Sequence, residues 1–200
     1  MEPVLREIRL QNVLSFGPDT PPLALKPLNV LIGPNGSGKS NLLEAIGLLH
    51  AAPKNLSAGM RESGGVLEWL WQGEQNPTAT VEAKIHDPGQ PDAPWLHSFS
   101  FAERSRSFFL TAERIEKPGT DKPVYCYGGG KFQIQVHEDP ARKQVPRPSI
   151  STEESILSQR KDPERYPVLS YLCDLYSRFR MYREWSFGRS TPPRQPQRAD

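Results

Sequence analysis

The sequence predicts an α/β fold in three consecutive parts: a strand–loop–helix unit at the front, an antiparallel β arm, and a helical segment toward the end. Three observations carry this reading. LNVLI at 28–32 runs into the glycine-rich stretch Gly33–Ser40 and then into apolar residues at helical spacing. From about 66 to 137 the apolar period changes to two. Beyond a proline-rich stretch, a helical stripe returns over 168–182.

Taken in order, VLREIRL at 4–10, PLALK at 22–26 and LNVLI at 28–32 are short β-leaning runs separated by turn residues. Leu42, Leu43, Ile46 and Leu49 mark a first helix, which Pro53 ends. Residues 54–66, with Asn55, Ser57, Gly59, Ser63, Gly64 and Gly65, read as a loop. Trp69 and Trp71 in GVLEWLW read as core or interface aromatics. Val81, Ala83 and Ile85, then Phe99 and Phe101, then Phe132, Ile134 and Val136 alternate with polar residues. Alternation of this kind signals strands with one wet face, hence an antiparallel sheet. Gly128–Gly130 suggests a hairpin between VYCY and KFQIQV. EDPARKQVPRPSI at 138–150 reads as a linker. Pro167 opens a helix striped by Val168, Leu172, Leu175, Phe179 and Tyr182, and Gly188 ends it. The expected organisation is core strands and first helix at 1–60, β arm at 61–140, linker at 141–155, helical segment at 156–187 and a proline-rich tail at 188–200.

Composition narrows the function classes. The chain has 200 residues, 25 basic and 23 acidic side chains, and a net charge of +2, a balance that neither requires nor excludes nucleic acid. Two cysteines cannot build a disulfide framework, and His50, His86, His97 and His137 show no ligand spacing. No apolar run is long enough to span a bilayer, and charge interrupts the first ten residues where a signal peptide would be apolar. The chain therefore reads as a cytoplasmic protein without a membrane partner.

The sharpest signal is G-P-N-G-S-G-K-S at Gly33–Ser40, matching G-x-x-x-x-G-K-[ST]. Chance would place this pattern in a chain of this length with a probability on the order of one per cent. Its setting, strand before and helix after, is the one the chemistry requires. Glycines let successive N–H groups turn toward phosphate oxygens, and the helix N-terminus adds unpaired donors and a positive dipole end. Lys39 supplies a mobile charge for β- and γ-phosphates, and the Ser40 hydroxyl is placed to ligate Mg²⁺.

GPNGSGKSNLLEAI and the opening LREIRLQNVLSFGP resemble the RecF/SMC/Rad50 group of ABC-type P-loop ATPases, most of all bacterial RecF-like AAA-type ATPases. The match is specific over residues 4–52 and loose beyond. The resemblance implies a P-loop NTPase core of ABC-ATPase type, with an antiparallel arm after the first helix and then a helical arm. It implies ATP and Mg²⁺ as cofactors, DNA as a partner, and a homodimer with nucleotide sandwiched between heads. Carried over by position, Gly33, Pro34, Asn35, Gly36, Ser37, Gly38, Lys39, Ser40 and Asn41 would hold the nucleotide. Gln159 is a candidate for the group's magnesium- and water-sensing glutamine, and Arg61 for an arginine on phosphate.

The departures matter as much. A complete head needs an LSGGQ-type signature and a strand ending in Asp-Glu to hold magnesium and activate water. Leu56–Gly59 (LSAG) resembles the first but directly follows the first helix, and Val168–Asp174 (VLSYLCD) resembles the second but fits the helical stripe better. The chain is thus expected to be an incomplete core, the first half of an ATPase acting in DNA repair, maintenance or defence, with hydrolysis weak or absent by itself. Two other readings stay open: a non-enzymatic module binding nucleic acid or a partner chain, and a small P-loop kinase. Arg178, Arg180 and Arg183 among aromatics could serve the former, but helical spacing puts Arg178 and Arg180 on opposite sides of the stripe.

Overall fold

A computed structural model describes residues 2–182 apart from 63, 76, 121 and 136–149. It is a mixed α/β structure, one antiparallel sheet with helices on one face. Its strands are β1 (Leu5–Gln11), β2 (Leu23–Ala24), β3 (Ala79–Ile85), β4 (Trp95–Arg104), β5 (Ser107–Glu116), β6 (Tyr125–Gly128) and β7 (Lys131–Ile134). Their order is β2-β1-β3-β4-β5-β6-β7, and every neighbouring pair is antiparallel. The helices are α1 (Lys39–Ala51), α2 (Leu56–Glu62), α3 (Ile156–Gln159) and α4 (Pro167–Ser177), with a 3₁₀ turn at Val66–Trp69.

The period-two reading explains the sheet. Ala79, Val81, Ala83 and Ile85 of β3 are buried, and so are Phe99 and Phe101 of β4, while Thr80, Glu82 and Lys84 face the other way. Register pairs Val81 with Phe99 and with Leu10 of β1, so the apolar positions line up across strands. One face is apolar and carries the helices; the other is wet and salt-bridged, as in Lys84–Glu7 at 2.8 Å. β1 and β2, from the expected core segment, and β3–β7, from the expected arm, share this single sheet.

On the covered face, α1 packs through Leu42, Ala45, Leu48 and Leu49, a three- and four-residue spacing. The expected Leu43 lies on the exposed side and Ile46 is only half buried. α4 starts at Pro167 as expected but buries Leu169, Leu172 and Tyr176, about one residue round from the predicted stripe. It stops at Ser177; Tyr182 is exposed, and Arg183 and the tail lie outside the described residues.

Several expectations need correction. LNVLI is not a strand: Leu28, Val30 and Ile32 are 81%, 74% and 92% exposed, and no described strand pairs with them. Residues 54–66 are not a loop but contain α2, because the Asn55 carboxamide oxygen accepts from the Ser57 and Ala58 N–H groups, and they end on the first residue of the 3₁₀ turn. LSAG therefore sits inside α2, and VLSYLCD inside α4. Of the expected helical segment 156–187, the described part, up to 182, holds two short helices with a non-helical 160–166 between them. KFQIQV forms only the exposed edge strand β7, ending at Ile134; Val136 and most of the linker lie outside the described residues.

Candidate functional site

Residues 33–40 form a glycine turn that runs straight into a helix, as the motif calls for, but without the strand expected before it. Gly36 and Gly38 have φ of +82° and +85°, the left-handed region that side chains disfavour. Gly38 is the N-cap of α1 and offers no side-chain cap, so the first N–H groups of the helix stay available to an outside acceptor. Leu42 N–H already reaches back to the Gly38 carbonyl at 2.9 Å, so the helix starts directly at the loop.

Lys39 folds its side chain over the loop. Its ammonium donates to the Gly33 carbonyl at 2.9 Å, the Pro34 carbonyl at 2.7 Å and the Ser37 hydroxyl at 3.2 Å. Three oxygens thus converge on one cation in a shallow, open turn. Gly33 and Pro34 are exposed, as are Asn35, Gly36, Ser37 and Ser40. Behind the loop lies the turn after β1: a Cβ on Gly38 would stand 3.0 Å from Ser15 Oγ and 3.6 Å from the Phe16 ring. That turn is itself held by the Leu14 N–H bond to the Trp69 carbonyl and the Trp71 N–H bond to the Asn12 carbonyl. Trp71 lies so close to Gly73 that a Cβ there would meet its ring at 2.2 Å. Trp69 is buried core, as its sequence setting suggested. Neither the turn at 12–17 nor its tryptophan support was read from the sequence as part of the loop's setting. The only signal was the asparagine-aromatic stretch NVLSF.

The structure also places the remaining candidates. Gln159 accepts from the Ser151 N–H at 2.8 Å, and its amide nitrogen donates to the Ser151, Glu154 and Ser155 carbonyls. Its side chain braces the 151–155 loop. Arg61 lies exposed in the last turn of α2, which begins past the end of α1 opposite the glycine loop. Arg178 pairs with Asp174 at 2.6 Å and Arg180 donates to the Ser177 carbonyl, so these two do not form a basic face. Among the described residues, no group of three His, Cys, Asp or Glu side chains could hold a metal ion. No described helix is long and apolar enough to cross a membrane.

Comparison with known proteins finds a family match that spans the loop. Residues 28–120 match the family described as AAA domain, putative AbiEii toxin, Type IV TA system. The chromosome partition protein Smc of Synechococcus sp. is 46% identical over 165 residues, a match covering 70% of this chain and 12% of that protein. The chain thus spans about an eighth of the length of this relative. A solved structure, from work on ATP-driven dimerization and DNA-stimulated activation of SMC ATPases, aligns with a TM-score of 0.38 at 19% identity. It covers 66% of this chain and 73% of that one, a likeness too slight to carry anything over. The family match and the Smc relative support the resemblance to SMC/RecF-like ABC-type ATPases.

Proposed function

We propose that this chain supplies the ATP-binding face of an SMC-like ATPase head, with residues 33–41 as the nucleotide site. The observation that carries the reading is the arrangement at Lys39: a flexible cation parked on its own loop's carbonyls, beside two left-handed glycines and an uncapped helix start. Such a loop suits a triphosphate, because main-chain N–H groups and one ammonium group meet phosphate oxygens without rebuilding the fold. Lys39 would exchange two neutral carbonyls for phosphate charge. The exposed hydroxyl of Ser40, in the first turn of α1, would ligate Mg²⁺. Magnesium would neutralise charge on the phosphates and polarise them toward attack.

Water activation needs a carboxylate, which in this reading the expected Asp-Glu strand would supply. The exposed run Leu28, Val30 and Ile32 suggests where one would enter. A strand's worth of apolar side chains facing water, with unpaired main chain, is a template for pairing with another strand. In our reading a pairing strand supplies the acidic residues, and two heads close on the nucleotide in DNA repair or maintenance. The all-antiparallel sheet disfavours a small kinase, whose parallel α/β sheet would continue past the first helix.

Equilibrium titration with MgATP tests the assignment. The expected dissociation constant is about 1 mM or below, and Lys39→Ala should remove binding while leaving the fold intact. Unchanged affinity in that variant would refute the nucleotide site.

A further inference from the structure

Far from the loop, four polar side chains are buried together. His97 and Ser155 are 0% exposed and Glu113 is 1%; Tyr176 is as fully enclosed. Glu113 reaches the core through an irregularity in β5. Ser100 pairs with Ala112 but Phe101 pairs with Leu110, which leaves Thr111 as an extra residue. That bulge reverses the alternation, so Phe108 and Leu110 on one side of it and Glu113 and Ile115 on the other all face inward.

The buried groups satisfy one another in one consistent order. Ser155 donates to Glu113 Oε1 at 2.5 Å, and the Ile156 N–H donates to Oε2 at 2.8 Å. The Ser155 oxygen in turn accepts from the Leu157 N–H. His97 Nε2 lies 3.2 Å from Glu113 Oε1, and Nδ1 lies 3.0 Å from the Tyr176 hydroxyl. With a neutral imidazole, Nε2–H donates to the carboxylate and Nδ1 accepts from Tyr176. Burial, and then the Glu113 charge, push the Tyr176 hydroxyl far up from its ordinary value and keep it a donor.

Two of these residues belong to the sheet, and two to the segment carrying α3 and α4. That segment makes further directed bonds to the sheet. Leu110 N–H donates to the Thr152 carbonyl at 3.0 Å, and the Tyr171 hydroxyl to the His86 carbonyl at 2.7 Å. Tyr176 also faces the other way: its carbonyl lies 3.0 Å from His50 Nδ1, in the last turn of α1.

An apolar contact could slide and loosen by degrees. A buried carboxylate with three donors cannot, because losing one partner strands a desolvated charge. We propose that residues 150–177 form a strap that docks on the sheet and leaves it as one body, with Glu113 as the latch, and that its release frees the last turn of α1. This does not depend on nucleotide binding.

Native-state hydrogen exchange on the full chain tests it. Amides of 156–177 should exchange as a group, ahead of those of β3 and β4. Glu113→Gln should speed the group at least tenfold, together with amides of the last turn of α1, and leave β3 and β4 unchanged. Tyr176→Phe keeps the carbonyl for His50 and removes the hydroxyl, so it should speed the same group less. Should Glu113→Gln fail to fold, Ser155→Ala and Tyr176→Phe are read by the same criterion. Equal acceleration of strap and strands would overturn the proposal, since the segment would then be part of one indivisible core. No acceleration would overturn it too, since the network would then hold nothing.

Discussion

At residues 33–40 the side chains are small or exposed, and the shape comes from two left-handed glycines and one lysine folded onto two carbonyls. At β3, β4 and the network around Glu113, shape comes instead from bulky buried rings and from polar groups that satisfy one another. The loop leaves its helix-start donors open to an outside acceptor, whereas the core leaves few groups wanting. Part of the molecule is therefore arranged to be completed by a ligand, and part is complete in itself. The difference lies in where the protein is sensitive: changes to the core should act on folding, changes to the loop on binding.

The largest expected effect lies in the core. Phe99 is 1% exposed and tilts against His97 at 5.4 Å between ring centroids. Phe99→Ala should lower stability by about 3–5 kcal/mol, read by denaturant unfolding. A loss below 1 kcal/mol would mean that the sheet is not packed as described.

Alkali should act on the same region. Burial first, and then the Glu113 charge, raise the Tyr125 and Tyr176 hydroxyls above their ordinary value of 10. Each folded tyrosine therefore keeps its proton where the unfolded chain loses it. Its contribution is fully present below pH 10 and is lost as pH climbs above that. Each should cost up to about 1.4 kcal/mol per pH unit in that range. Tyr176→Phe should flatten the decline; an equally steep curve would remove Tyr176 from the account.

How much of this was legible in the sequence follows the same division. Strands β3 and β4 showed in their alternation, because one face packs and the other meets water. The loop showed in its glycines and lysine, because its shape is local. LNVLI misled because a strand needs a neighbour, and none of the described strands pairs with it. α2 hid behind Asn55, Ser57 and Gly59, which look like a turn until the Asn55 side chain is seen capping the helix. Glu113 could not be read as buried at all, since the bulge at Thr111 shifts the alternation that periodicity relies on. The β4–β5 turn was equally silent: Ser105 and Arg106 take φ of 53° and 62° without the glycine that would announce it.

At Gly38 one change should act on both folding and binding. Alanine there would have to hold φ near +85° with Ser15 Oγ 3.0 Å away. Gly38→Ala should cost about 1–2 kcal/mol of stability and weaken MgATP binding as well. A variant that binds normally would show that the loop tolerates a different shape.

The smallest effect should fall on the exposed run. Ile32→Ser should change the stability of the chain by less than about 0.5 kcal/mol, because the side chain is already in water. It should also reduce self-association at high concentration, measured by sedimentation. A stability loss like that of Phe99→Ala would mean that the run is covered after all.

The central claim, that main-chain amides of this loop take a triphosphate, is tested most directly by amide NMR on the full chain during MgATP titration. Resonances of Gly36, Gly38, Lys39 and Ser40 should move together and saturate, and they should stay still in Lys39→Ala. Shifts elsewhere with these four unmoved would contradict the account.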